Sequence, residues 1–317
     1  MPTVGIVIPV YNCRQYLGEC LDSLMAQTFR DFHVYIIDDG SSDGSQQIAR
    51  EYCGRDSRFE FIQTDHGGVS RARNLGIDLC QEKYIGFVDA DDALQPWALE
   101  TLLSIMQRTG SQVCIGGLDV AERFGALSPV GDKAEVMSYS EAIEKGLYQS
   151  IIINSPCGML LERDLLGDNV RFREGTRYED LDAFYRFYER ADRIAWLPEK
   201  LYFYRQTGGS FMHQWSEARL DVLDVTDRLL HYMEKRHPEL GAAARDRRFS
   251  AHYDMLIQML KNDVRNQKAF EKCLSVIKKE RFHELGNPKV RLKNKLGALA
   301  TFGGVRFIRF LAKFLKK

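Results

Sequence analysis

No stretch of the 317 residues approaches the ~20 consecutive apolar residues of a transmembrane helix. No basic leader precedes the first apolar run, which holds Pro9 and reads as a strand rather than a signal sequence. No Cys-x-x-Cys pair occurs. The seven cysteines, at 13, 20, 53, 80, 114, 157 and 273, are odd in number and dispersed, so they read as reduced thiols that fill the core. There is no internal repeat. Acidic residues are missing from one end: residues 287–317 hold nine Lys or Arg and no Asp or Glu. The whole chain balances 44 basic against 44 acidic residues, so the rest stands at 35 against 44. An acidic globular body with a basic C-terminal arm is expected. These absences predict a cytosolic protein, or one attached to the inner face of a membrane.

What is present is 44% hydrophobic content, enough for one large domain or two smaller ones. The first part of the chain alternates two periodicities. Residues 4–10 (VGIVIPV), 32–37, 59–63, 83–88 and 113–116 are short apolar, β-branched or aromatic runs and predict strands. Between them, apolar spacing predicts helices: one carrying Leu17, Cys20, Leu21 and Leu24, one over 46–52, one from an N-cap at Ser70 to Leu79, and one over 97–108 behind Pro96. Strands separated by helices of this length predict an α/β fold with a mainly parallel sheet covered on both faces. Residues 117–215 read as short strands, one or two helices and long loops. From 215 to about 281 the pattern is helical, with Val222, Val225, Leu229, Leu230 and Met233 on one stripe and Tyr253, Leu256, Ile257 and Leu260 on another. The expected division is 1–215 (halves 1–116 and 117–215), a helical appendage at 216–286 and a basic tail at 287–317.

Three predicted strands end in polar residues. The first ends in Pro9, Tyr11 and Asn12, the second in Asp38 and Asp39, the fourth in Asp89, Asp91 and Asp92. Ligands of open α/β sheets sit at this edge, where helix N-termini favour anions. Two acidic clusters on an anion-favouring edge make sense if a divalent cation joins them to the anion. Hard cations such as Mg²⁺ or Mn²⁺ take carboxylates together with phosphate oxygens. The competing assignment makes Asp89 and Asp92 turn and helix-cap residues before the Pro96 helix.

The segments "IVIPVYN", "IIDDGSSDGS", "GGVSRARNLGI" and "YIGFVDADD" occur in this order. Together they resemble the inverting family-2 glycosyltransferases of the GT-A fold, which use nucleotide-diphosphate sugars. The resemblance covers about residues 1–120, and extends more weakly to 215 through "YEDLDAF" and "LYFYRQTGGS". It implies a Rossmann-like GT-A sheet with a C-terminal helical appendage. It implies that Pro9, Tyr11 and the Asp38–Asp39 pair line a uracil and ribose pocket, with one aspartate on the base and the other structural. It further implies that Asp89 faces the ribose or donor sugar, that Asp91 binds Mn²⁺ or Mg²⁺ with Asp89 as a further metal candidate, and that Asp92 supports them or caps a helix. Arg73 falls beside the nucleotide, where a guanidinium can orient carboxylates or meet phosphate; Arg71 is expected to be solvated.

An inverting transfer is a single displacement that needs one general base and no enzyme nucleophile. Glu179 and Asp180 precede the stripe Leu181, Phe184, Phe187 and so fall near a helix N-terminus, where the helix dipole alone would also favour them. The resemblance makes Asp180 the base and Glu179 its support. In "YRQTGGS", Arg205 and Ser210 are candidate phosphate contacts. His213 is either an ordinary loop histidine or a third metal ligand. Processive relatives carry membrane spans and a Gln-x-x-Arg-Trp motif. Gln214–Trp215 does not match it, so transfer of one sugar is expected.

At ~100° per residue, Arg306, Arg309, Lys313, Lys316 and Lys317 fall in one narrow arc, and Val305, Phe307, Ile308, Phe310, Leu311, Ala312, Phe314 and Leu315 fill the rest. Residues 296–317 are therefore expected to lie on an anionic membrane, which suits a lipid-linked glycan acceptor. The alternative is a terminal helix packed on the body. No nucleic-acid-binding module is recognisable. A UDP-sugar-dependent transferase of bacterial surface polysaccharide synthesis is the leading expectation. The alternatives are a nucleotidyltransferase, disfavoured because "PVYNCRQ" replaces a glycine-rich phosphate loop after the first strand, and a non-catalytic sugar-nucleotide or membrane-binding module.

Overall fold

The computed structural model describes residues 2–125, 127, 133–151, 154–206 and 215–314, with side chains as far as Ala312. The chain forms two compact units. One comprises Met1–Ala142, Ile152–Gly175 and Glu179–Gly208; the other comprises Ile143–Ile151, Thr176–Tyr178 and Gly209–Lys317.

Strands β1 (Val4–Val10), β2 (Phe32–Asp38), β3 (Phe59–Gln63) and β4 (Tyr84–Phe87) alternate with helices α1 (Arg14–Met25), α2 (Ser45–Arg55) and α3 (Val69–Leu79). The chain continues through β5 (Ala93–Leu94), α4 (Ala98–Thr109), β6 (Val113–Ala121), β7 (Glu135–Met137), α5 (Tyr139–Leu147), β8 (Met159–Glu162), α6 (Glu179–Tyr188) and β9 (Ile194–Arg205). These strands form one nine-stranded sheet in the order β3-β2-β1-β4-β8-β6-β9-β5, with β7 paired to β9. β1 lies parallel between β2 and β4, and β2 is parallel to β3. β8 runs antiparallel to β4 and β6, while β6 and β9 are parallel. All seven β1 residues are buried, as expected where helices cover both faces of a parallel sheet. The parallel group brings the carboxyl ends of β1, β2 and β4 to one edge, as the sequence implies.

Two local expectations are corrected. Ser70 does not cap α3: it lies inside the helix and is buried, and Gly68 takes the cap position with φ +92°, a conformation that glycine adopts without strain. The region after residue 117 is also more regular than its sequence suggests. β6 and β9 are long paired strands, but the pairing register shifts at Gly116–Gly117 and again at Gly117–Leu118. Such irregularity, with Pro198 inside β9, breaks the period-2 alternation by which strands are recognised.

The second unit is helical: α7 (Asp221–Arg236), α8 (Gly241–Lys261), α9 (Gln267–Gly286), α10 (Leu292–Ala300) and α11 (Gly304–Phe314). α8 packs against α7, α9 and α11. Val222, Val225, Leu229, Met233 and Leu256 are buried there. No described helix is long and apolar enough to cross a membrane.

Candidate active site

The loops after β1 and β2 are laced together. The Asn12 backbone N–H donates to Ser41 Oγ at 3.0 Å, and the Ser42 N–H donates to Asn12 Oδ1 at 2.8 Å. The Cys13 N–H donates to Ser45 Oγ at 2.9 Å, and the Arg14 N–H to Asp43 Oδ2 at 2.8 Å. Serines and aspartates in "DDGSSDGS" thus satisfy backbone groups at the start of α1.

Asp38 and Asp39 are both buried but hold different things. Asp38 accepts from the Ser41 N–H and from Gln46 Nε2, which fixes its own turn. Asp39 accepts from the backbone N–H groups of Gly67 at 2.7 Å and Gly68 at 2.8 Å, which clamps the loop before α3. His66 Nδ1 lies 2.8 Å from Asp39 Oδ2, and its ring stacks on Tyr11 with centroids 4.2 Å apart. Tyr11 is half exposed at 48%, so a flat aromatic surface stands at the end of β1 beside Asp39. Pro9 is buried within β1, paired with Ile37, so it shapes the strand end from inside.

Arg73 is the hub. It is buried on α3, with one guanidinium nitrogen 2.7 Å from Asp89 Oδ1 and another 2.7 Å from Glu179 Oε1. Its guanidinium also lies 5.3 Å from the Phe172 ring centroid. These two carboxylates hold the guanidinium charged, well above even the ordinary arginine range, although burial opposes this. Asn74 donates to the Phe172 carbonyl and accepts from the Phe172 N–H. The "ARN" triplet therefore ties α3 to the segment before α6. Arg71 is exposed, as expected.

The acidic turn after β4 is held from beneath by β9. The Asp89 N–H donates to the Tyr202 hydroxyl at 3.1 Å, and that hydroxyl donates to Asp92 Oδ2 at 2.6 Å. The Arg205 N–H donates to Asp92 Oδ1 at 2.8 Å, and its Nε donates to the Asp91 carbonyl at 2.7 Å. Asp92 is buried, and burial followed by the Asp89 and Asp91 charges pushes its carboxyl well above the usual range. Asp91 is also raised, first by burial and then by Asp89. Both shifts come first from burial and then from the neighbouring carboxylates, so three acidic side chains crowd one largely buried turn. The carboxylate oxygens of Asp91 and Asp89 are the kind of donor that a hard divalent cation takes. Among the described residues no group of three His, Cys, Asp or Glu gathers to hold a metal by itself, so further ligands would come from phosphate or water. Cys13, near the same turn, is pushed up to about 12 by burial and then by Asp91, and it stays a thiol.

α6 begins immediately after Tyr178, whose φ of +58° is rare for a non-glycine residue. Leu181, Phe184 and Phe187 are buried and orient the helix, so Glu179 and Asp180 occupy its first turn. Glu179 turns to Arg73. Asp180 accepts from the Leu181 N–H at 2.7 Å and stands near Asn154, Pro156, Met159 and Phe172.

Arg205, a candidate phosphate contact in the sequence, is engaged within the protein. Besides the acidic turn it meets Glu19 Oε2 at 3.0 Å and lies 4.8 Å from the Tyr16 ring centroid, so it is a buried clamp on the turn. Asp92 likewise caps no helix; it anchors β9. Ser210 and His213 lie outside the described residues. Sequence reasoning missed Tyr202 and His66. The alternation in "LYFYR" signals a strand, but the contact of Tyr202 with Asp89 spans 113 positions and has no local signature.

Residues 5–169 match the profile described as Glycosyl transferase family 2. Glycosyltransferase GlyG of Streptococcus pneumoniae serotype 4 is 29% identical over 219 residues, covering 66% of this chain and 72% of GlyG. Glycosyltransferase GlyA of the same organism is 29% identical over 229 residues, 69% of this chain, but the match spans only 33% of GlyA. Residues 1–349 of TarS from S. aureus, solved in complex with UDP-GlcNAc, superpose with a TM-score of 0.72 at 20% identity, over 98% of this chain and 90% of that one. The fold is therefore the α/β GT-A type with C-terminal helices.

Proposed function

The chain belongs to glycosyl transferase family 2 and is a glycosyltransferase, and we propose that it moves one sugar, with inversion, from a UDP-sugar to a hydroxyl of a glycan acceptor in bacterial surface polysaccharide synthesis. The observation that carries this is the Arg73 bridge. One buried guanidinium ties the acidic turn at the end of β4 to the residue beside Asp180. That is what a transferase needs: donor-holding and acceptor-activating carboxylates in a fixed relation.

In this mechanism Tyr11 supplies a flat surface for uracil, and Asp39 keeps the loop before α3 against it. Asp89, oriented by Arg73, faces the ribose or donor sugar. Asp91 would hold Mn²⁺ or Mg²⁺, whose charge would offset that of the diphosphate. Asp180 takes the proton of the acceptor hydroxyl as its oxygen bonds to the anomeric carbon. The anomeric carbon–oxygen bond to the diphosphate breaks, and UDP leaves from the opposite face. Neither Cys13 nor any other nucleophile is required. TarS, solved with UDP-GlcNAc, supports the choice of uridine donors. The acceptor is proposed to be lipid-linked and met at an anionic membrane face.

The test is turnover with a panel of UDP-, GDP- and dTDP-sugars, with Mn²⁺ and with chelator, and the anomeric configuration of the product read by NMR. UDP-sugar turnover with inversion is expected. Turnover with retained configuration, or with GDP-sugars alone, would refute the mechanism as drawn.

A further inference from the structure

Among the described residues, thirteen large apolar side chains are exposed, and seven of them lie in the helical unit: Phe282, Leu292, Leu296, Leu299, Phe302, Phe307 and Phe310. Six of the seven fall between Leu292 and Phe310, too dense a cluster for apolar residues scattered over an ordinary surface. They are arranged, not scattered. On α10, Leu292 (71% exposed), Leu296 (57%) and Leu299 (53%) fall within an arc of about 60°. The opposite side of that helix, through Asn294, Gly297 and Ala298, is buried. On α11, Ile308 and Ala312 turn inward while Phe307 and Phe310 turn outward. Phe302, in the turn between the two helices, meets Phe282 edge to face with ring centroids 5.6 Å apart. The Arg281 guanidinium lies 4.1 Å from the Phe302 ring centroid.

The charge that this segment itself carries has one sign. The segment from residue 287 onward carries nine basic and no acidic residues. Lys293 and Lys295 flank the leucine arc of α10 on either side, and Arg306 and Arg309 adjoin the phenylalanines of α11. Lys293 reaches back to Asp254 on α8 at 3.1 Å, while Arg306 and Arg309 are exposed. A second copy of the chain would present the same cations to each other across a two-fold contact, with no carboxylate from this segment to pair them. An anionic bilayer offers what the surface lacks: acyl chains for leucine and phenylalanine, and headgroup charge for the bases.

We propose that α10, the turn after it and α11 form a docking surface for an anionic lipid bilayer. Leu292, Leu296 and Leu299 enter the headgroup–acyl boundary, with Phe302, Phe307 and Phe310 extending the contact. The long stems of Lys293 and Lys295 let their ammonium groups stay at headgroup level. This deepens the membrane-facing acceptor named above, yet it does not depend on the donor chemistry.

Cosedimentation of the full chain with vesicles of phosphatidylcholine alone, and of phosphatidylcholine mixed with phosphatidylglycerol, tests it. Binding to the mixed vesicles and little to the neutral ones is expected. The triple variant Leu292→Ser, Leu296→Ser, Leu299→Ser should bind roughly a hundredfold more weakly. Arg306→Gln and Arg309→Gln should each cost about fivefold. No binding to mixed vesicles, equal binding to both, or a triple variant that binds like wild type would overturn the proposal. So would a concentration-dependent dimer in sedimentation velocity without lipid that the leucine substitutions abolish, since the surface would then be self-associating. UDP titration of the same samples separates the two readings. Lost nucleotide binding bears on the donor site, whereas lost vesicle binding with nucleotide binding intact bears on this surface.

Discussion

Arg73 stands between two carboxylates at 2.7 Å each, and its side chain is buried. Removing it would leave Glu179 and Asp89 without their cation, Glu179 the more enclosed of the two. Breaking a buried pair from one side costs about 3 kcal/mol, moderated here because Asp89 is partly hydrated. Arg73→Ala is therefore expected to lower the denaturation midpoint measurably and to weaken UDP binding, with calorimetry and urea titration as the two readouts. An unchanged midpoint would mean the bridge contributes little. Asp180→Asn separates chemistry from binding. General-base removal should reduce turnover between about a hundredfold and ten-thousandfold while leaving UDP affinity as it was. Loss of UDP affinity in that variant would instead place Asp180 in the donor site. At this scale the sequence told the place of Asp38, Asp39 and the acidic turn at strand ends and of Arg73 on the helix after the glycine-rich loop, because motif order carried that information. It was not readable for Arg205, because its direction is set by Glu19, Tyr16 and the Asp91 carbonyl, all distant in sequence.

Helix α3 lies so close to β1 that a Cβ on Gly76 would stand 2.3 Å from Val7 Cγ1. Gly76→Ala must push strand and helix apart, at an expected cost of about 1–3 kcal/mol, and the displaced helix carries Arg73. Lowered thermal stability accompanied by weaker UDP binding is expected; unaltered stability would contradict so tight a contact. In the helical unit, Glu284 is fully buried on α9 beside the Asp246 carboxyl. Burial, then the neighbouring Asp246 carboxylate, holds it protonated well above the usual carboxylate range. The folded state then keeps a proton that the unfolded chain releases above its ordinary value of 4.5. Stability should fall as pH rises from there, by up to about 1.4 kcal/mol per unit from this group. Glu284→Gln should flatten that slope and stabilise the protein at pH 8, as followed by urea denaturation across pH; an unchanged slope would show that Glu284 ionises in the fold. The alternating strands and helices before α4 were legible because each run kept its period. β5, β7 and β8 were not, being two to four residues long and defined only by their partners.

For the whole molecule, the sheet brings the carboxyl ends of β1, β2 and β4 to a single edge, and the fold class followed from the order of motifs along the chain. The helical unit was legible as helices but not as a surface. Periodicity showed an apolar face on α11, yet only packing decides that Ile308 and Ala312 are covered while Phe307 and Phe310 are not. In the proposed mechanism, Asp91 in the turn after β4 makes nucleotide binding depend on a divalent cation. A calorimetric titration of UDP, GDP and dTDP into wild type and Asp91→Ala, with Mn²⁺ and with chelator, decides this. UDP binding that needs Mn²⁺ and is lost in Asp91→Ala is the predicted result. UDP binding that is indifferent to chelator and to the substitution, or no binding of any of the three nucleotides, would contradict it.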